Sequence, residues 1–176
     1  GYTGRVYIII DNEDKQADKY YQNFGDKVIM FDKAAIAETF DEGDNFGDRR
    51  AIIYARNACF DIAKKLGIEY FMQLDDDYDS FDYRFDGKYV PITRTLVKSL
   101  DCVIDLFLNY YKVIGFASVA FLQSGDYLGG RGGGYSKKIK TYRKAMNTFI
   151  CKTSNKFEFV GRVNEDVNTY TSIQNK

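Results

Sequence analysis

The sequence predicts an α/β fold, in which a mostly parallel central sheet is flanked by helices and joined to a smaller antiparallel part. Two observations predict it. Strands and helices alternate three times before residue 75, and aspartates directly follow the strands. Repeated β-α-β units place parallel strands side by side through right-handed crossovers. A chain of 176 residues corresponds to one domain, taken here as 1–176.

The first two predicted strands each end at an aspartate. Residues 5–10 form a β-branched run, apolar on both faces as in a buried parallel strand, that leads into Asp11. Residues 27–31 form a second strand that leads into Asp32. Between them, apolar and aromatic residues recur at roughly helical spacing over 14–24, which predicts a helix.

The third repeat carries the strongest helix of the first half. Residues 32–48 are acidic and rich in turn formers, which predicts a loop. Residues 49–66 then carry one apolar stripe, and Gly67 stands where a helix C-cap glycine belongs. Residues 68–74 form a third strand that runs straight into Asp75-Asp76-Asp77. Ligands of such sheets bind beyond the carboxyl ends of the strands, so these aspartates define the expected site.

The second half is predicted to be more irregular. Its elements are a hairpin with strands at 80–85 and 88–92, a helix at 93–113, and strands at 115–122, 146–152 and 157–163. Residues 125–134 contain six glycines, which predicts a mobile loop without the strand–turn–helix setting of a phosphate-binding motif. No regular element is predicted after residue 166.

Composition excludes several classes of function. The chain has no histidine, which removes His-dependent nucleophiles, imidazole bases and His-ligated zinc. The 25 basic and 25 acidic residues cancel, which excludes a uniformly basic nucleic-acid-binding protein. Three widely spaced cysteines predict free thiols in a reducing compartment. Because no apolar run spans a bilayer and no signal peptide is visible, we expect no membrane contact and a cytoplasmic location.

The Asp75-Asp76-Asp77 run is the central candidate for chemistry. At a strand end, residues i and i+2 point the same way, so Asp75 and Asp77 are expected to face one pocket. Two such carboxylates repel unless a cation or a proton joins them, and Mg²⁺ or Mn²⁺ bridging them to substrate phosphates would do so. The alternative is a solvated acidic turn. A calcium-binding EF-hand loop fits less well, because Ser80 stands where its sharp turn requires glycine.

Two further pairs have both a functional and a structural interpretation. Arg56 and Asn57 are polar residues in an otherwise apolar helix. Arg56 either extends to solvent along its apolar stem or reaches a pyrophosphate with its planar fork. Glu165 and Asp166 either supply the general base that a chain without histidine needs, or act as helix N-terminal acids that complement the helix dipole.

A basic stretch follows the glycine-rich segment. Residues 131–156 contain eight lysines and arginines and no acid, with Tyr135 and Tyr142 among them. A basic segment with interleaved aromatic residues is suited to a nucleic-acid backbone or another anionic acceptor. The alternative is a solvated basic surface.

The ordered set of motifs resembles a GT-A type nucleotide-sugar glycosyltransferase. The matching pieces are Asp11, Asp32, Ala55-Arg56-Asn57, Leu74-Asp75-Asp76-Asp77 as the DxD motif, and Asn164-Glu165-Asp166. More narrowly, residues 50–57, 74–78 and 161–170 resemble the phage-type glycosyltransferases associated with TET-like dioxygenases. Members of that family are proposed to place sugars on hydroxymethylated DNA bases. The resemblance covers nearly the whole chain.

The resemblance implies where the donor would bind. Asp11 and Asp32 would contact the base and ribose of the sugar nucleotide. Arg56 and Asn57 would support its diphosphate or its sugar.

The resemblance also implies the chemistry of the acidic residues. Asp75 and Asp76 would lie near the nucleotide-sugar, and Asp77, with Asp75, would coordinate Mn²⁺ or Mg²⁺ on the diphosphate. Asp166, or else Glu165, would deprotonate the acceptor hydroxyl in an inverting displacement.

The resulting prediction is a metal-dependent glycosyltransferase of the hexosyltransferase type. It would use a UDP-sugar and a hydroxyl acceptor, for which the resemblance suggests phage DNA held through 131–156 in the host cytoplasm. GT-A enzymes often take a further metal ligand, commonly His, from a C-terminal segment; this chain has none, so we expect it to be truncated there. The alternatives are a nucleotidyltransferase of similar architecture and a non-catalytic module that binds nucleic acid or protein.

Overall fold

The computed structural model describes residues 1–41, 49–86, 91–121, 148–161 and 165–173. The strands are β1 (Ile8–Asp11), β2 (Val28–Phe31), β3 (Tyr70–Leu74), β4 (Asp82–Phe85), β5 (Pro91–Leu96), β6 (Ser118–Val119) and β7 (Thr148–Lys152). The helices are α1 (Ala17–Phe24), α2 (Lys33–Ala37), α3 (Ile53–Lys65), α4 (Leu100–Ile114) and α5 (Glu165–Ile173). The predicted α/β class is therefore confirmed. None of these described helices is long and apolar enough to cross a membrane.

The strands pair into small sheets of mixed direction. β1 pairs with β2 in parallel, with Ile8 opposite Val28. β7 lies between β3 and β6 and pairs antiparallel with both. The prediction of a mostly parallel central sheet is therefore wrong for the described residues. A run that is apolar on both faces indicates a strand buried between layers, but it identifies neither the neighbouring strand nor its direction.

The segment after β2 begins with α2 instead of the loop that its turn-forming residues predict. The carboxylate of Asp32 accepts a hydrogen bond from the Ala35 amide at 3.0 Å. An aspartate in this position satisfies a free amide of the first helical turn and stabilises the start of the helix. Residues 42–48, which belong to the same predicted loop, lie outside the described part of the chain.

The predicted hairpin is present, but its second strand ends further along the chain. β4 and β5 pair antiparallel, and β5, described over Pro91–Leu96, continues four residues past the predicted end at 92, whereas 87–90 lie outside the described residues. The predicted helix at 93–113 therefore begins only at Leu100. Because β-branched residues at positions 92, 93 and 95 lose side-chain freedom in a helix, they favour a strand at this point.

The last third of the chain departs most from the predicted elements. β7 confirms the strand predicted over 146–152, whereas β6 covers two residues of the one predicted over 115–122. Residues 157–161 have no regular structure where a strand is predicted, and α5 forms where no element is predicted. The glycine-rich segment 125–134 lies outside the described residues.

Aromatic packing joins α3 to β3, β7 and the segment after β7. Phe60 of α3 meets the rings of Phe71 and Phe157 edge-on, with ring centroids 5.1 and 5.2 Å apart. Phe159 packs against Phe149 of β7 at 4.9 Å. These residues belong to, or pack against, the main buried cluster. The polar side chains of α3 are therefore held against the strands and segments that carry the candidate site.

The three cysteines are free thiols, as predicted, and their environments differ. Cys102 is exposed on α4, whereas Cys59 on α3 is partly buried and Cys151 on β7 is buried. Burial raises the pKa of Cys59 to about 12, against a smaller lowering by nearby Arg56. Burial also raises the pKa of Cys151 well above its ordinary value, and the neighbouring Cys59 adds to that rise.

We expect Ellman's reagent at pH 8 to modify Cys102 rapidly, and Cys59 and Cys151 only after unfolding. The thiolate is the reactive species, and a thiol with a pKa of about 12 is ionised to about one part in 10⁴ at pH 8. Cys102→Ser should therefore remove the rapid phase. A second thiol reacting at the rate of Cys102 in the folded protein would contradict the assignment.

Candidate active site

The carboxyl ends of the paired strands β1 and β2 form a corner that carries the candidate residues Asp11 and Asp32. The Asn12 amide donates to the Phe31 carbonyl at 3.0 Å, which extends the parallel pair beyond β1. The ammonium of Lys33 forms an ion pair with Asp11 at 2.9 Å. The side-chain oxygen of Asn12 accepts a hydrogen bond from the Lys33 amide at 3.0 Å. Asp11 is thus held beside the turn that follows Asp32, at the strand ends where a ligand is expected.

Lys33 is the residue of this corner that sequence reasoning missed. Its side chain is 13% exposed, and its ammonium lies 5.7 Å from the ring centroid of Tyr54 as well as against Asp11. The available signal was its position directly after Asp32 at a strand end. Any ligand of Asp11 therefore shares that carboxylate with a lysine.

Arg56 is buried at the centre of the candidate site. Its side chain is 5% exposed, and its guanidinium carbon lies 5.0 Å from the ring centroid of Phe149 and 5.6 Å from that of Phe159. The interpretation in which Arg56 extends to solvent is therefore wrong. Because a buried guanidinium is costly unless it is paired, its partners determine what it does.

Two carboxylates from distant parts of the chain pair with Arg56. Nη1 donates to Glu165 Oε1 at 2.8 Å, and Nη2 lies 3.2 Å from both oxygens of Asp75. Asp75 is 19 residues away in sequence and Glu165 is 109 residues away. One side chain of α3 therefore joins the acidic turn after β3 to the first residue of α5.

Asn57 binds the protein backbone. It is 2% exposed, its side-chain nitrogen donates to the Phe159 carbonyl at 2.9 Å, and its side-chain oxygen accepts from the Phe159 amide at 2.9 Å. The neighbouring Gln73 of β3 donates to the Arg56 carbonyl at 3.2 Å. Both ends of the Asn57 amide are thus engaged by a single backbone residue, which fixes the segment 157–161 against α3.

The second and third aspartates of the acidic run are exposed. Asp76 and Asp77 face solvent, whereas Asp75 is only partly exposed and pairs with Arg56. Within the ranges that the structure describes, no group of three or more acidic, cysteine or histidine side chains is arranged to hold a metal ion. Mg²⁺ commonly keeps several waters and binds one or two carboxylates together with substrate phosphates. Asp77 lies in the turn two residues after Asp75, and its exposed carboxylate suits that open kind of site better than a closed protein cage.

Glu165 and Asp166 are the first two residues of α5. Glu165 is partly buried and engaged by Arg56, and the side chain of Asp166 lies outside what the structure describes. Their place in the first helical turn also fits the interpretation as acids that complement the helix dipole. The structure therefore assigns one of the two acids a partner, because the Glu165 carboxylate forms an ion pair with the Arg56 guanidinium.

Two members of the basic stretch can be placed, and both lie near acids. The ammonium of Lys156 lies 3.2 Å from both oxygens of Asp61, and that of Lys152 lies 3.8 Å from Glu69. Residues 131–147 lie outside the described part of the chain. A contact with nucleic acid through the remaining cations stays a prediction.

The fold and the candidate residues define an α/β protein with aspartates at strand ends and a buried arginine that pairs with two carboxylates. A sequence model of the TET-associated glycosyltransferase family matches residues 1–176. The chain therefore belongs to the TET-associated glycosyltransferases, which makes it a glycosyltransferase that takes a sugar donor. The resemblance carried by residues 50–57, 74–78 and 161–170 is confirmed. No curated protein and no solved structure matches the chain.

Proposed function

We propose that this chain moves a sugar from a nucleotide-sugar, most simply a UDP-sugar, to a hydroxymethylated base in phage DNA. Family membership supplies the reaction class. The observation that carries the proposal further is the convergence of Asp75 and Glu165 on Arg56. A transfer site needs a place for the donor's diphosphate close to a base for the acceptor, and this convergence brings the two candidate segments together.

The donor is proposed to lie across the carboxyl ends of the strands, as in a GT-A site. Asp11 and Asp32 would contact its base and ribose, and Asp75 and Asp76 would border the rest of the nucleotide-sugar. Asp77, with Asp75 beside it, would hold Mn²⁺ or Mg²⁺, which when bound supplies positive charge to the leaving diphosphate. The exposure of Asp77 supports this role, because its carboxylate is accessible to a ligand.

The acceptor step is proposed to use Asp166 as the general base. The proton of the acceptor hydroxyl passes to the Asp166 carboxylate while the hydroxyl oxygen forms a bond to the anomeric carbon. The bond between that carbon and the diphosphate oxygen breaks, so the nucleoside diphosphate leaves with the electron pair. Attack opposite the leaving group inverts the anomeric centre. A positioned base contributes about 10²–10⁴-fold to such a step.

The acceptor is proposed to be held through the basic stretch 131–156. This stretch combines eight cations with two tyrosines and has no acid, which suits the phosphates and bases of DNA. The two members near acids, Lys152 and Lys156, lie at its end. The proposal therefore relies on the cations between residues 131 and 144.

The donor class is tested by thermal unfolding with UDP, UDP-glucose, GDP and dTDP, each in Mn²⁺ and in EDTA. A ligand at 100 times its dissociation constant stabilises the folded state by about 2.7 kcal/mol. We expect a shift for one nucleotide that disappears in EDTA. A shift of equal size in EDTA would contradict metal dependence.

The acceptor is tested by mass spectrometry of oligonucleotides with and without a hydroxymethylated base, incubated with the preferred nucleotide-sugar. We expect one sugar to be added to the modified strand alone. Addition of a nucleotidyl group would instead support the nucleotidyltransferase alternative. Binding of both strands without any transfer would support the binding-module alternative.

A further inference from the structure

The Arg56 guanidinium is committed to contacts within the protein. Nη1 is bonded to Glu165 and Nη2 to Asp75, and the rings of Phe149 and Phe159 lie against it. Both terminal nitrogens of this group already donate to carboxylates, so a bound diphosphate would have to compete with Asp75 and Glu165 for the guanidinium. Loss of the cation is unfavourable for both carboxylates, because their side chains are only 26% and 20% exposed. The geometry therefore disfavours the role of donor contact that the resemblance implies for Arg56.

Glu165 is committed in the same way. Its side chain is 20% exposed, and its Oε1 lies 2.8 Å from Arg56 Nη1, the length of a charge-assisted hydrogen bond. A general base must be free to meet the acceptor hydroxyl, whereas this carboxylate is directed toward the interior. Because Glu165 is also the first residue of α5, the bond ties the start of that helix to α3, and through Arg56 to Asp75 after β3.

A second contact from α3 supports the first. Asn57 holds the backbone of Phe159 through two hydrogen bonds of 2.9 Å. Successive residues of α3 thus hold the segment before α5 and the first residue of α5 itself. The position of α5 relative to the acidic turn is therefore determined by contacts to α3, which is fixed in the core.

We propose that Arg56 and Glu165 form a positioning pair that sets α5, and with it Asp166, relative to the Asp75-Asp76-Asp77 turn. In this assignment Arg56 is not a donor contact and Glu165 is not the base. The assignment rests on the proposed function, because it concerns the geometry between the donor turn and the acceptor base.

The test compares Arg56→Lys, Glu165→Gln and Asp166→Asn for kcat and for the Kd of the nucleoside diphosphate. Loss of a general base lowers kcat by about 10²–10⁴-fold, which is the effect expected of Asp166→Asn. Glu165→Gln keeps an acceptor for Arg56, so we expect a loss of kcat at least tenfold smaller than that of Asp166→Asn.

Arg56→Lys keeps the positive charge but not the two-pronged guanidinium, so kcat should fall while the nucleotide Kd changes less than threefold. A Glu165→Gln loss that equals the Asp166→Asn loss, or a tenfold weaker nucleotide Kd in Arg56→Lys, would overturn the assignment.

Hydrogen exchange of residues 165–173 gives a readout that does not depend on activity. Arg56→Lys and Glu165→Gln should both accelerate exchange in α5. The control is Asp61→Asn, which breaks the exposed pair between α3 and Lys156 and should leave exchange in α5 unchanged. If Arg56→Lys does not fold, Glu165→Gln decides the result. Unchanged exchange in α5 would overturn the pair, whereas absence of sugar transfer by the wild-type chain, with faster exchange in the variants, would contradict only the proposed function.

Discussion

Asp77→Asn is expected to abolish metal-dependent donor binding and to lower sugar transfer by about 10³-fold. Asp77 is exposed and lies two residues after Asp75, the member of the run that pairs with Arg56. Asparagine keeps the shape of its side chain while removing the charge. Loss of a metal's charge stabilisation is worth several kcal/mol, and each 1.36 kcal/mol corresponds to about tenfold in rate. The measurements are the Mn²⁺-dependent thermal shift with nucleoside diphosphate and kcat/KM for transfer.

The matched control for this prediction is Asp79→Asn, which removes the same charge from another exposed position two residues further along. Asp79→Asn should retain both the thermal shift and transfer within about threefold, since Asp79 lies outside the Asp75-Asp76-Asp77 run and an exposed charge acts weakly through the high dielectric of water. If both variants lose metal-dependent binding equally, the loss reflects the total negative charge of this segment, and Asp77 has no specific role. If neither does, the site for the cation lies elsewhere.

Arg56→Met is expected to have the largest effect on stability of any single substitution in the site. Methionine fills much of the apolar volume between Phe149 and Phe159 but leaves Asp75 and Glu165 without their cation. Breaking a buried pair from one side costs about 3–5 kcal/mol. For a chain of this length, such a loss lowers Tm by about 10 °C. Chemical and thermal unfolding of the variant check the prediction.

The control for Arg56→Met is Lys156→Met, which breaks an ion pair whose side chains are 41% and 44% exposed. Exposed pairs contribute about 0–1 kcal/mol, so Tm should barely change. Adding Glu165→Gln to Arg56→Met should recover part of the loss, because one uncompensated charge is then removed. Equal decreases in Tm for Arg56→Met and Lys156→Met would show that the buried pair contributes no more to stability than the exposed pair.

Much of the site could be read from local pattern. The β-branched run before Asp11 and the strand before Asp75 are present, and the apolar stripe of α3 forms a helix from Ile53 to Lys65. These features depend on residues close together in sequence, so periodicity is sufficient to find them. The errors arose where two local signals compete. At Asp32 a helix cap prevails over turn-forming neighbours, and before Leu100 β-branched residues prevail over a helical stripe.

The sequence by itself determined the α/β class, the family, the free thiols and the position of aspartates at strand ends. Each of these depends only on composition or on residues close together in the chain. Only the tertiary structure decided that β3 pairs antiparallel with β7, that Arg56 faces inward and that it joins Asp75 to Glu165. These contacts link residues 19 to 109 positions apart. They depend on which surfaces the core brings together, and a local pattern carries no information about its distant partner.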